Sequence, residues 1–247
     1  MTEPLDELFG EHYLHFHASR LSEQLADDEA AELVGLLGLG RGSVVLDAGC
    51  GEGRIAVRLA ASGLGVTAVD RSESFLAAAA RRCAERGVQV ELVVGELEQL
   101  PVSGPFDAAV LWFNTFGFLD DQGNATVLSE LRRVLRPGGV LVVDTLNRDA
   151  VVRHHTAAPD VVVVDVGGDL QLDASAIDVL SGRLVVDRTI VRSASVFRSS
   201  FSQRLLTVPE WRRLLADSGF ADVEVCGRAG EALTLDSWEL VLRAVAA

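Results

Sequence analysis

The chain has 247 residues, 49% of them hydrophobic, with 36 acids against 22 bases, every base an arginine, for a net charge of −14. Nucleic-acid binders gain affinity by neutralising phosphates with cations, so a surface this negative argues against DNA, RNA or an anionic membrane as partner. The length suits one α/β domain with an insertion, and no apolar run reaches the roughly 18 residues that span a bilayer.

The opening Met1–Glu7 is acidic and lacks the positive start of a secretion signal. Cys50, Cys83 and Cys226 show neither metal-ligand spacing nor a pairing pattern. A cytoplasmic location without a bound metal is the expectation.

In chain order, Ser22 to Leu37 carries an apolar stripe of helical period. Val44 to Ala48 is a short apolar run that reads as a buried parallel strand. Helices are predicted over Arg54–Ser62, Ser72–Arg86 and Asn124–Leu135, with Ser72 and Asn124 as N-caps. They alternate with strands over Val66–Asp70, Val90–Leu97, Phe106–Trp112 and Val140–Thr145. Strand–helix alternation of this kind builds a doubly wound parallel sheet.

After residue 150 the pattern becomes alternating apolar and polar, over Val161–Val166, Leu170–Ile177, Arg183–Val191 and Ser195–Leu206. Gly167-Gly168 and Ser181-Gly182 supply turns, so this stretch reads as antiparallel β-structure. A helix from Pro209 and two strands, Val223–Gly227 and Ser237–Val245, close the chain.

The most informative stretch is Val44–Gly53, V-V-L-D-A-G-C-G-E-G. Glycines at the end of a strand let the backbone turn tightly and approach a ligand closely. Asp70 ends the next strand about twenty residues on, where an acid can hold ribose hydroxyls. A dinucleotide fingerprint would need its third glycine at position 54, which is Arg54. The spacing D-x-G-x-G-x-G instead resembles motif I of the class I S-adenosylmethionine (SAM)-dependent methyltransferases. Val90–Leu97 with Glu96, the F-D-A-A-V segment at Phe106, and Leu135-Arg136-Pro137-Gly138-Gly139 follow in that family's order. The antiparallel insertion after strand five is similar to that of glycine and amino-sugar N-methyltransferases.

That resemblance implies a Rossmann-like, seven-stranded doubly wound sheet. It divides the chain into N-terminal lid helices (1–38), a SAM-binding core (39–150), an antiparallel insertion serving as acceptor lid or dimer contact (151–207), and a C-terminal completion of the sheet (208–247). It also implies SAM as donor, S-adenosylhomocysteine as product, and a small-molecule or peptide acceptor, with a homodimer left open. The donor would meet Asp47, Ala48, Gly49 and Gly51 with its methionine part and Asp70 with its ribose. Arg71, Glu96, Leu97 and Trp112 would complete that site; Glu96 stands where the family usually has Asp. Tyr13 and Arg20, two helical turns apart, would reach the SAM carboxylate from the lid.

Asn114, Thr115, Phe116, Asn147 and Arg148 would line the acceptor pocket. Methyl transfer is an in-line displacement that needs at most a weak proton acceptor, for which His17, His154 and His155 are candidates. A SAM-dependent cyclase and a non-catalytic SAM-binding protein are the alternatives, since these motifs fix the donor and not the bond broken.

Overall fold

The computed structural model describes residues 9–17, 21–155 and 160–247. Seven strands form one sheet: β1 (Val44–Ala48), β2 (Gly65–Asp70), β3 (Glu91–Val94), β4 (Phe106–Leu111), β5 (Leu135–Leu146), β10 (Phe220–Cys226) and β11 (Glu239–Ala246). Their spatial order is β3-β2-β1-β4-β5-β11-β10; β11 alone runs against its neighbours β5 and β10. The chain order reverses between β1 and β4, which pair in parallel through Leu46 and Ala109. Open α/β sheets bind ligands at such a switch point, beyond the carboxyl ends of the strands.

Helices cover both faces of the sheet. On one face α2 (Glu23–Leu37) and α3 (Ala56–Ala61) bury Leu33, Leu37, Ile55 and Leu59 against Val45, Val110 and Val142. On the other, α5 (Asp121–Val134) and α7 (Val208–Asp217) bury Leu128, Leu131, Trp211 and Leu215 against Leu46, Leu111 and Leu141. Strands buried on both sides read as continuous apolar runs, which is why β1 and β5 were legible without alternation. The N-terminal stretch is thereby divided: α2 is part of the core layer, whereas α1 (Glu11–His17) lies over the sheet's carboxyl edge.

Capping chemistry sets the helix ends. Ser22 accepts the Leu25 amide and Ser72 the Phe75 amide; Gly38 and Gly87 end those helices in the left-handed conformation. The start of α5 corrects the expectation for Asn124. The helix begins three residues earlier, Asp120 accepts the Gly123 amide, and the buried Asn124 amide group donates to the Leu119 carbonyl. Thr207 and Glu210 form a reciprocal capping box at α7.

The insertion is a separate four-stranded antiparallel sheet in sequential order: β6 (Asp160–Val166), β7 (Asp169–Asp178), β8 (Arg183–Arg192) and β9 (Ser195–Arg204). One face buries Gln171, Val186, Arg188, Ile190 and Gln203, while Val161, Val163 and Val196 of the other remain exposed. Helix α1 is tied to the first face, where Glu11 meets Arg192, His15 meets Asp169, and the His12 ring lies 4.6 Å from that of Phe197.

Candidate active site

The glycine turn after β1 is built from three glycines at positive φ, each for a different reason. A Cβ at Gly49 would meet Thr115 Cγ2 at 2.4 Å, and one at Gly53 would meet the Ala79 Cβ at 2.7 Å. These two positions allow the loop after β4 and helix α4 (Glu73–Arg86) to close on the turn. At Gly51 the nearest atom to an added Cβ is Phe75 Cδ2 at 3.9 Å, so this position faces open space. Its amide donates to Asp70 Oδ2 at 2.8 Å, and the Ser72 amide to Asp70 Oδ1 at 2.9 Å.

A cavity of about 190 Å³ opens above this turn, against the roughly 10–15 Å³ that one water requires. Asp47, Gly49, Gly51, Asp70, Arg71, Glu96, Leu97 and Trp112 line one end. Tyr13 of α1 and Asn114, Thr115 and Phe116 of the loop after β4 line it as well. Ala48 is buried inside β1 and does not reach the lining. Arg20 lies outside the described residues.

Three groups lie away from the cavity. Asn147 caps α6 (Arg148–His154), and its amide donates to the Thr234 and Ser237 carbonyls, so it braces the loop before β11. Arg148 pairs with Asp149. His154 contacts Asp160 and the Trp238 ring, and His155 contacts Ser175 and the Val151 carbonyl. His17, stacked on Tyr13 with its Nδ1 at the Tyr13 carbonyl, is also absent from the lining.

The site's electrostatics follow from burial. Asp47 is 2% exposed and its Oδ2 has no hydrogen-bond partner among the described residues; burial, and then the neighbouring Asp70 charge, push its carboxyl up to about 7. Burial also raises Asp70 above the ordinary carboxylate range, against the two amides it accepts. The Trp112 indole N–H, also buried, has no hydrogen-bond partner among the described residues.

Sequence reasoning missed several residues of this site. Arg54 forms a buried ion pair with Glu29 and lies 4.8 Å from the Phe113 ring. Asp144 of β5 is pushed up to about 7 by burial, yet accepts the Phe113 amide at 2.8 Å and an Arg228 N–H at 2.8 Å. Phe113 and Asn114 both sit at positive φ, uncommon for such residues, and Asp144 holds this bend. Phe9, Leu14, Phe75 and Phe118 add apolar walls. For Arg54 the signal lay in the helical offset between two charged segments, which a single sequence does not pair.

Residues 45–139 match the family model described as a methyltransferase domain. A ubiquinone biosynthesis O-methyltransferase of Caulobacter vibrioides is 38% identical over 109 residues, covering 43% of this chain and 42% of that protein. The chain thus spans under half the length of the curated relatives it matches. Among solved structures, a SAM-dependent methyltransferase from Clostridium acetobutylicum superposes with a TM-score of 0.80 at 14% identity, over 97% of this chain and 98% of that one. The CcbJ methyltransferase of Streptomyces caelestis gives 0.76 at 23%, over 90% of each. The segment 45–139 is thus similar to a methyltransferase domain. The architecture around it, insertion included, is the Rossmann-like fold of class I SAM-dependent methyltransferases.

Proposed function

We propose that the protein is a SAM-dependent methyltransferase that transfers a methyl group to a small-molecule or peptidyl acceptor by in-line displacement. The observation that carries this reading is the pairing of Gly51, open towards the cavity, with Asp70 on the adjoining strand. The residues present suit the donor. Asp47 offers a carboxylate oxygen and Trp112 an N–H in the same lining, both without a hydrogen-bond partner among the described residues. SAM supplies a methyl group already activated on a sulfonium.

The chain's own part is then to bind, align and exclude water. Asp70 grips the ribose, Glu96 and Leu97 flank the adenine, and Asp47 with the Gly49–Gly51 turn faces the methionine part. Tyr13 and the aromatic walls keep water out. Asn114, Thr115 and Phe116 face the acceptor. A neutral amine acceptor needs no buried base, in keeping with a lining that contains none of the three candidate histidines. Among the described residues, no cluster of side chains suits a metal ion and no helix is long and apolar enough to cross a membrane.

The net charge of −14 supports an acceptor that is not nucleic acid, and the free cysteines Cys50, Cys83 and Cys226 support a reducing, cytoplasmic setting. The exposed valines of β6 support its edge as the contact of a homodimer.

Incubation with SAM and a panel of amines, phenols and peptides, read by mass spectrometry, tests the activity. S-adenosylhomocysteine and a methylated acceptor are expected. Methylthioadenosine release would assign group-transfer or cyclase chemistry instead. Intact SAM that still raises the melting temperature would make the protein a non-catalytic binder.

A further inference from the structure

The loop after β4, residues 113–119, forms one wall of the cavity. Strand β5 holds its start, where Asp144 accepts the Phe113 and Asn114 amides and Thr145 and Leu146 donate to Asn114 Oδ1, but the rest of the loop turns to the accessory sheet. Its backbone carbonyls are taken up by the accessory sheet. Gln203 of β9, 3% exposed, donates to the Phe116 carbonyl at 2.7 Å and to Asn114 Oδ1 at 2.6 Å, and its Oε1 accepts the Asn114 amide group at 3.0 Å. The Arg204 amide donates to the Gly117 carbonyl at 2.7 Å. Arg183, at the start of β8, donates to the Gly117 and Leu119 carbonyls at 3.2 and 3.1 Å and to Ser202 Oγ at 2.9 Å.

Four successive carbonyls, Phe116 to Leu119, are thus held by two side chains and one amide from β8 and β9. Arg183 is partly buried to do so, and that burial lowers its pKa from the usual arginine value. Partly burying a guanidinium to bond carbonyls and one hydroxyl is a costly arrangement unless the loop shape matters. A Cβ at Gly117 would meet the Arg204 carbonyl at 2.6 Å, so the approach of loop to sheet is as close as backbones allow.

We propose that Gln203 and Arg183 are positioning residues: the accessory sheet is the template that fixes the acceptor wall of the cavity, acting through Asn114 and the 116–119 carbonyls. The proposal rests on the methyltransferase reading above, and deepens it by assigning control of acceptor geometry to residues that line no part of the cavity. Donor binding is set by β1 and β2; in the acceptor wall β5 fixes the bend at Phe113 and Asn114, and β8 and β9 fix the stretch 116–119 that follows. The two are separable by substitution.

The test compares wild type with Gln203→Leu, Arg183→Met and Gln203→Glu. Amide hydrogen exchange of residues 113–119 in Gln203→Leu and Arg183→Met should quicken at least ten-fold, with the β6–β9 amides other than that of Arg204, which bonds the loop itself, unchanged. S-adenosylhomocysteine affinity by calorimetry should stay within two-fold. Gln203→Glu should match Gln203→Leu at pH 8 and regain protection, relative to intrinsic exchange, at pH 5, where a protonated carboxyl can again donate to Asn114. With any acceptor the wild type methylates, the first two variants should raise its KM at least ten-fold and leave that of SAM within two-fold. Unchanged exchange at 113–119, loosening of loop and sheet together, or a ten-fold loss of S-adenosylhomocysteine affinity in the variants would each overturn the proposal. Failure of the wild type itself to bind S-adenosylhomocysteine would instead refute the methyltransferase reading.

Discussion

Asp70 accepts the Gly51 amide on one carboxylate oxygen and the Ser72 amide on the other, at 2.8 and 2.9 Å. One side chain therefore joins the glycine turn after β1 to the N-terminus of α4. Each oxygen keeps a second lone pair for a sugar hydroxyl. Replacing Asp70 by Ala should weaken S-adenosylhomocysteine binding ten-fold or more, since a buried acceptor bonded to its partner contributes about 1.5–3 kcal/mol. Calorimetric titration checks this; unaltered affinity would remove Asp70 from the donor site.

The glycines of the turn separate folding from binding. Gly53→Ala places a methyl 2.7 Å from the Ala79 Cβ, on the far side of the turn from the cavity, whereas Gly51→Ala meets nothing closer than 3.9 Å. Both adopt positive φ, which costs an alanine on the order of 1 kcal/mol. Gly53→Ala carries an added clash of about 1–3 kcal/mol. Gly53→Ala should therefore show the larger drop in melting temperature, and Gly51→Ala the larger loss of S-adenosylhomocysteine affinity relative to its loss of stability. Thermal melts and titrations on the two proteins decide it.

Burial and Asp70 push Asp47 up to about 7 from an ordinary 3.8. The folded protein thus holds a proton that the unfolded chain releases between pH 4 and 7. The stability linked to this group is fully present below pH 3.8 and is lost as pH rises to about 7, above which it changes no further. Glu23 acts in the opposite sense: hydrogen bonds from Arg58 and Arg86 hold it at about 2, so its contribution is lost as pH falls from 4.5 towards 2. Asp47→Asn should lessen the decline between pH 4 and 7, of which Asp144, also pushed up to about 7, keeps its own share, and leave the acid limb intact. Urea unfolding across pH 3–9 measures both slopes, and an identical slope in the variant would contradict the assigned shift.

The alternation of strands and helices was legible because its signals are local: apolar runs ending in acids and glycines. The Pro-Gly-Gly segment, expected as a turn ahead of strand five, instead lies inside β5, which starts directly at the end of α5. The places of Asp47, Gly51 and Asp70 in the cavity lining were legible for the same reason, since each stands at or just past a strand end, and Asn114, Thr115 and Phe116 line it as expected. What holds the wall after β4 was not legible. It depends on Gln203 reaching Asn114 across 89 positions of sequence and on Arg228 reaching Asp144 across 84. Neither pair has a spacing that a single chain can reveal. Asn147 misled for a related reason: its place after β5 matched an active-site loop, but its amide is consumed by the Thr234 and Ser237 carbonyls.

Arg228 also shows how the core supports the site. Its guanidinium lies 4.5 Å from the Trp112 ring, donates to Asp144 Oδ2 at 2.8 Å and approaches Glu29 Oε1 at 3.3 Å. Asp144 in turn fixes the Phe113 amide and hence the left-handed bend of the cavity wall. Removing the cation leaves a buried carboxylate without compensation, a change that costs on the order of 3–5 kcal/mol in buried pairs and less here, because Arg228 is 23% exposed. Arg228→Met should therefore destabilise by about 2 kcal/mol, the discounted end of that range. Asp144→Asn added to it keeps an acceptor for Phe113 while deleting the stranded charge. The double variant should recover part of the loss, and most at pH 8, since the Asp144 carboxyl is pushed up to about 7 and ionises most fully above it. Denaturant unfolding of the two single variants and the double at pH 6 and pH 8 gives the coupling. Strict additivity at both pH values would show that Arg228 does not balance Asp144.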